Sequence, residues 1–197
     1  MTQLVLASTS AARRALLIAA AVPHDAVPPR VDEAAVKAGM VGAPPRDLAD
    51  ALAELKAMRV SQKLPGVLVL GCDQVASTDD GEILDKPASR EDAARQLRQL
   101  RGRRHRLTSA AVIAENGRAV WRAADVATLE MREFSEAFLD SYLDAEWPEI
   151  GGCVGGYRLE AAGIQLFSRV RGDHFTILGL PMLPLLDYLR ERGVIKR

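Results

Sequence analysis

The chain has 197 residues, of which 48% are apolar, enough to bury a full core and too many for a disordered tail protein. Basic and acidic residues balance at 26 each, so no long-range field steers the chain toward nucleic acid, and an anionic ligand must be held by a local cluster of positive charge. Two cysteines (Cys72, Cys153) and three scattered histidines make neither a disulfide framework nor a structural zinc site, which points to reduced thiols in the cytoplasm. Taken in chain order, Leu4–Ala7 is a short apolar strand broken by Ser8-Thr9-Ser10, and Ser10 caps a helix over Ala11–Ala21. Arg13-Arg14 precede an apolar run of only eight residues, too short for an export signal or a membrane span. Val27–Val31 is proline-rich and extended. Asp47 caps the next helix, whose core stripe is Leu48, Leu52 and Leu55, with Lys56 at its edge. Val67–Leu70 lacks alternation, as a strand covered on both faces does, and Gly71-Cys72-Asp73-Gln74 follow at its C-terminal end.

Ser77–Gly81 is turn-like. Ser89-Arg90-Glu91-Asp92 has the form of a capping box opening a helix with Ala93, Leu97 and Leu100 inward and Gly102 beyond its end. Asn116-Gly117 is a strong hairpin signal between Leu107–Ala114 and Arg118–Met131. Ser135 caps a helix to Leu143, and a loose segment runs from Trp147 to Gly156. Tyr157–Glu160 and Gly163–Val170 read as strands, and Leu183–Arg192 as an amphipathic helix closed by Gly193. Helices alternating with strands around a central hairpin predict one α/β or α+β domain over 1–197, built on a mixed sheet.

Several of these places carry chemistry. A strand feeding a helix through Ser8-Thr9-Ser10 points backbone N–H groups and hydroxyls at one spot, an anion site with Arg13 and Arg14 in its first turn. Two cations there oppose the helix dipole, and a phosphate would reverse that penalty; an ordinary serine cap with two solvated arginines fits the segment as well. Asp73, past a buried strand, stands where open α/β sheets place ligand-binding groups. Asp32-Glu33 form a second acidic pair, and Lys56 and Lys86 are two of only five lysines beside 21 arginines, compact point charges in a chain that otherwise uses arginine. Hard carboxylates with four cations and a helix N-terminus suit Mg²⁺ or Mn²⁺ and a polyphosphate. The crowd of arginines from Arg95 to Arg106 has no interleaved aromatics and reads as a solvated face. The GGCVGG stretch at 151–156 lacks the form and the setting of a dinucleotide loop.

Together the motifs resemble one family. LVLASTSAARRALL at 4–17, VDE at 31–33, ELKA at 54–57, VLGCDQV at 69–75, GEILDKP at 81–87, EDAARQLRQLRGRRH at 91–105, GYRLEAAGIQLF at 156–167 and GLPMLPLL at 179–186 are similar to the Maf, or septum-formation, nucleotide pyrophosphatases, almost end to end. The resemblance implies an α/β fold of the Maf and ITPase kind: a mixed twisted sheet flanked by helices, with two lobes around a deep cleft, often dimeric. It implies hydrolysis of a nucleoside triphosphate to the monophosphate and pyrophosphate with Mg²⁺, Mn²⁺ or Co²⁺, acting on free nucleotides and not on nucleic acid or membranes, with a role in division arrest among its expectations. Carried over by position, Asp73 is the catalytic and metal-associated carboxylate, Glu33 a second metal ligand, and Ser8, Arg13, Arg14, Lys56 and Lys86 the phosphate group. Gln74 after Asp73, and Glu160 and Cys153 later, match the branch acting on 7-methyl-GTP, which carries tryptophan where this chain has Ala12. A nucleotide-binding division regulator without turnover and a pyrophosphatase for ITP or XTP are the alternatives.

Overall fold

All four residues of the first strand, β1 (Leu4–Ala7), are buried. In the computed structural model, which describes residues 3–196, β1 pairs in parallel with β2 (Asp25–Ala26) on one side and β3 (Leu68–Thr78) on the other. Parallel neighbours require helical crossovers. Here α1 (Ala11–Ala19) precedes β2, and α2 (Glu33–Gly39) and α3 (Pro45–Ser61) precede β3. β4 (Ile83–Leu84) turns back antiparallel on β3, and α4 (Arg90–Leu100) leads to β5 (Arg104–Glu115) and β6 (Arg118–Met131). α5 (Glu136–Glu146) comes next, then β7 (Phe167–Arg171), antiparallel to β6, and finally α6 (His174–Ile177) and α7 (Met182–Glu191). The seven strands form a mixed sheet in the order β2-β1-β3-β5-β6-β7, with β4 on β3.

The chain divides into two compact units, and neither is a continuous stretch. The first comprises Met1–Gln74, Thr108–Asp125 and His174–Arg197, and the second Val75–Leu107 and Val126–Asp173. In the first, Leu4 and Leu6 of β1 share one apolar cluster with Leu17, Leu70, Leu185 and Leu189. The β5–β6 hairpin turns on Asn116 (φ 52°) and Gly117 (φ 71°), the pair of positive φ angles that a two-residue hairpin of this twist demands. In the second, α4 packs on α5. There His105 is fully buried, bonds through Nε2 to the Tyr157 hydroxyl at 2.7 Å, and lies against the rings of Tyr157 and Phe167.

The strand–turn–helix opening, the hairpin and the helices capped by Ser89 and Ser135 match expectation. Other elements differ. β3 does not stop at Leu70 but continues to Thr78, so Asp73 is inside a strand; every residue of it but Gln74 is buried. The expected turn at Ser77–Gly81 is narrower, because Ser77 and Thr78 still belong to β3 and Ser77 pairs with Ile83. α3 starts at Pro45 with Pro44 as its cap residue, and Asp47 sits in its first turn. Its buried face is Leu48, Leu52 and Lys56 with Ala49, Ala53 and Ala57, while Leu55 is only half-buried. Tyr157–Glu160 is not a strand, and residues 162–166 form a 3-10 helix before β7. Helices α2 and α6 were not expected; both are short, with too few residues to show a period.

Two outcomes follow from this packing. A Cβ on Gly71 would stand 2.2 Å from the carbonyl oxygen of Ala53 and 2.6 Å from the amide nitrogen of Ala57, so Gly71→Ala should push α3 off β3 and lower stability by about 2–3 kcal/mol in urea unfolding. Burial pushes His105 down to about 4, with the charge of Asp79 opposing. The folded state therefore keeps a neutral imidazole while the unfolded chain takes up a proton near 6.5. This contribution to stability is complete above pH 6.5 and is lost as pH falls from 6.5 toward 4, on the order of 3 kcal/mol in all. In His105→Gln, unfolding free energy measured across that window should be flatter than in the wild type.

Candidate active site

Alternation along β3 puts Gly71 and Asp73 on the face toward α3. Because Gly71 has no side chain, the α3 backbone at Ala53 and Ala57 comes against the strand. Lys56, the neighbour of Ala57, is thereby buried, and its Nζ donates to Asp73 Oδ1 at 2.5 Å. The same Nζ is 2.9 Å from Glu33 Oε1. Glu33 is held there as the first residue of α2, whose cap is Asp32: Oδ1 of Asp32 accepts the Ala35 N–H at 3.0 Å. The Lys56 and Asp73 side chains are 8% and 10% exposed, and Glu33 39%. Three residues singled out in separate segments of sequence thus meet as one ion cluster, with the ammonium between two carboxylates.

The opening turn is largely self-satisfied. Ser8 Oγ accepts the Ser10 N–H at 3.1 Å, and Ser10 Oγ caps α1 by accepting the Arg13 N–H at 3.3 Å. That leaves the N–H groups of Ala11 and Ala12 as the first-turn donors for an anion. Arg13 turns its side chain back into the first unit: Nε donates to Gly179 O at 2.9 Å and Nη1 to Cys72 O at 3.2 Å. Arg14 is exposed and Ala12 half-buried. Gln74 points to the opposite face of β3 from Asp73, where Nε2 donates toward Ser109 Oγ (3.0 Å) and the carbonyls of Thr176 (3.1 Å) and Ile177 (2.9 Å).

The remaining candidates lie in the second unit. Lys86 is exposed, next to the buried Pro87, and Glu160 is exposed. They share an electrostatic neighbourhood with Cys153. Burial and then Glu160 push that thiol up, while Arg158 and Lys86 pull it down. Arg158 donates through Nε and Nη2 to Glu146 Oε2 at 3.0 and 2.8 Å, and the Glu146 side chain is only 8% exposed. Sequence reasoning missed this pair. Its one signal was an acid on an apolar stripe: Leu139, Tyr142, Leu143 and Glu146 form the buried face of α5. Of the arginines from Arg95 to Arg106, Arg95 pairs with Asp92, Arg98 and Arg101 with Glu136, and Arg104 and Arg106 with Asp79.

Neither thiol is activated: burial pushes Cys72 up to about 11 despite the nearby charges of Arg13 and Lys56. For a divalent metal, Glu33 and Asp73 offer two hard carboxylates that converge on one cationic nitrogen, a donor chemistry that fits Mg²⁺ or Mn²⁺. Among the described residues there is no group of three or more His, Cys, Asp or Glu side chains able to hold an ion. No helix among the described residues is long and apolar enough to cross a membrane.

The chain is 53% identical to a nucleoside triphosphate pyrophosphatase of Ruegeria pomeroyi over 194 residues, covering 98% of this chain and 97% of the relative. Nucleoside triphosphate pyrophosphatase 1 of Jannaschia sp. is 49% identical over 197 residues, 99% of each chain, and the Roseobacter denitrificans nucleoside triphosphate pyrophosphatase 50% over 196 residues, 98% of each. The profile of the family described as Maf-like protein matches residues 3–192. With a match of that extent and relatives of that similarity, the chain belongs to the Maf-like protein family.

Proposed function

We propose that the protein is a nucleoside triphosphate pyrophosphatase, a hydrolase that converts a nucleoside triphosphate to the monophosphate and pyrophosphate. The Glu33–Lys56–Asp73 cluster, buried at Lys56 and Asp73 and open at Glu33, carries the proposal, because it sets carboxylates and a cation where phosphoanhydride cleavage can use them, in a family whose curated relatives bear that name.

In this reaction a water attacks the α-phosphorus, the bond from that phosphorus to the bridging oxygen breaks, and pyrophosphate leaves with the bonding electrons. Asp73 accepts the water's proton, and Lys56 neutralises negative charge as it accumulates on the leaving group. A divalent cation held by Glu33 and Asp73 would lower the pKa of bound water and shield the phosphates. The Ala11 and Ala12 N–H groups, with Arg14 exposed in the same turn, bind a phosphate at the positive end of α1. Ser8 acts on that site by holding the turn, through its bond to the Ser10 N–H. Lys86 is the second unit's candidate phosphate ligand. Glu160 there and Ala12 in the first unit are the positions on which preference for a standard, methylated or deaminated base turns. We extend the proposal to a homodimer working in the cytoplasm on free nucleotides.

Asp73→Asn keeps an acceptor for Lys56 but removes the base, so turnover should fall by about 10²–10⁴-fold with little change in thermal midpoint. A variant within two-fold of wild-type turnover would exclude the base role. In a pyrophosphate-release screen over standard, 7-methylated and deaminated triphosphates, release should require Mg²⁺, Mn²⁺ or Co²⁺ and stop with excess chelator. Saturable nucleotide binding without release under any metal would point instead to a regulator without turnover.

A further inference from the structure

The ion pair between Glu146 and Arg158 has no part in the chemistry proposed at Asp73, and a carboxylate is unfavourable where Glu146 stands. Its side chain is 8% exposed, and it is the last residue of α5, at the negative end of that helix. An apolar residue of similar size would fill the place without either penalty. The arginine that offsets the penalty comes from beyond the glycine-rich stretch: Arg158 Nε and Nη2 both donate to Glu146 Oε2, at 3.0 and 2.8 Å. One helical turn earlier on the same face, the Tyr142 hydroxyl reaches Gly156 O at 3.4 Å. Helix α5 therefore grips the segment on both sides of Tyr157, whose own hydroxyl and ring are held by His105 and Phe167.

What these ties hold is a turn. The Ala161 N–H donates to Arg158 O at 3.3 Å, closing a turn with Leu159 and Glu160 at its centre. A Cβ on Gly163 would stand 2.3 Å from that same Arg158 oxygen and 3.0 Å from the Arg158 nitrogen, so the returning chain lies directly against the Arg158 backbone. Arg158 is thus fixed from two sides, by its side chain to α5 and by its backbone against Gly163, and the exposed Glu160 follows two positions later. Glu160, Arg158, Lys86 and Glu146 all act on the charge state of the Cys153 thiol, which gathers the pair and the two exposed charges around one half-buried group.

We infer that Glu146 is a positioning residue for base preference, acting through Arg158 on the turn that presents Glu160. This rests on the proposed place of Glu160 among the positions that set base preference. A carboxylate discriminates between bases only if its direction is fixed, since a freely turning one meets each base at whichever edge offers a donor. Loss of the Glu146 charge releases Arg158, whose side chain is 32% exposed and can turn to water, and with it the start of the turn. Preference then relaxes, while the Glu33–Lys56–Asp73 cluster keeps its own contacts.

The test uses the full chain and reads the ratio of kcat/KM for 7-methyl-GTP and GTP, which differ at the base alone. Glu160→Gln should shift that ratio by about ten-fold. Glu146→Gln keeps the shape of the side chain and removes its charge, and should shift the ratio in the same direction by about three- to ten-fold. Arg158→Lys, which keeps the charge and loses the paired N–H groups, should shift it by less. In the Glu160→Gln background, Glu146→Gln should add less than about two-fold, because it acts through the carboxylate already removed. A purely structural loss would lower kcat/KM for both nucleotides by one factor. An unchanged ratio in Glu146→Gln beside a shifted one in Glu160→Gln, or a full further shift in the double variant, would overturn the inference. Amide hydrogen exchange, read without substrate, should quicken at Ala161 in Glu146→Gln. If Glu160→Gln leaves the ratio unchanged, or the wild-type chain releases no pyrophosphate, the proposed reading of Glu160 or of the reaction fails instead. The exchange measurement then decides the positioning of the turn alone, and unchanged protection at Ala161 overturns it.

Discussion

A buried ammonium group flanked by carboxylates is costly to assemble, because a charge that has left water is repaid only if its partners are close and held. Lys56, Asp73 and Glu33 meet that condition with separations of 2.5 and 2.9 Å. Each partner comes from a different element: α3, β3 and the first turn of α2. The rest of the first unit can be understood as what makes those three elements arrive together. Gly71 removes the one side chain that would hold α3 away from β3, and the run of alanines on α3 at 49, 53 and 57 gives the helix a face narrow enough to use that gap. Asp32 sets where α2 starts, and so where Glu33 points.

Charge near the site is used in two distinct ways. Lys56 is committed to carboxylates, and Arg13 to the carbonyl oxygens of Gly179 and Cys72. Arg14, one position further, is exposed. Two adjacent arginines in one motif therefore have different tasks, one tying the fold around Asp73 and one facing solvent beside the helix N-terminus. The balanced total charge agrees with this division: many cations are spent on local acids, as with Arg98 late in α4 and Arg101, Arg104 and Arg106 beyond it.

Much of this was legible from sequence because short-range chemistry fixes it. Ser10, Ser89 and Ser135 announce helix starts through the hydroxyl each offers to an orphan N–H, and Asn116-Gly117 announces a turn through the φ angles it tolerates. The membership of the ion cluster was legible too, from the scarcity of lysine and the placing of two acids. Its geometry was not. Lys56 looked like the edge of a leucine stripe because its burial depends on Gly71, fifteen positions away and invisible to periodicity. The extension of β3 past Asp73 was hidden for a related reason. Polar residues at 73, 74, 77 and 78 look like a loop, and only their partners make them tolerable in a buried strand. Glu146 and Arg158, and the Gln74–Ser109–Thr176 network, likewise join residues that no local pattern connects.

The first unit's apolar cluster joins Leu4 and Leu6 to Leu185 and Leu189, so its opening strand and its closing helix share one core. A chain emerging from the ribosome cannot complete that core until Leu185 and Leu189 have been made. The strand bearing Asp73 reaches solution long before the helix that helps bury its neighbours, and closure must wait for contacts of very large sequence separation. A product terminated before α7 would therefore leave the apolar side chains of β1 without the partners that cover them in the folded chain.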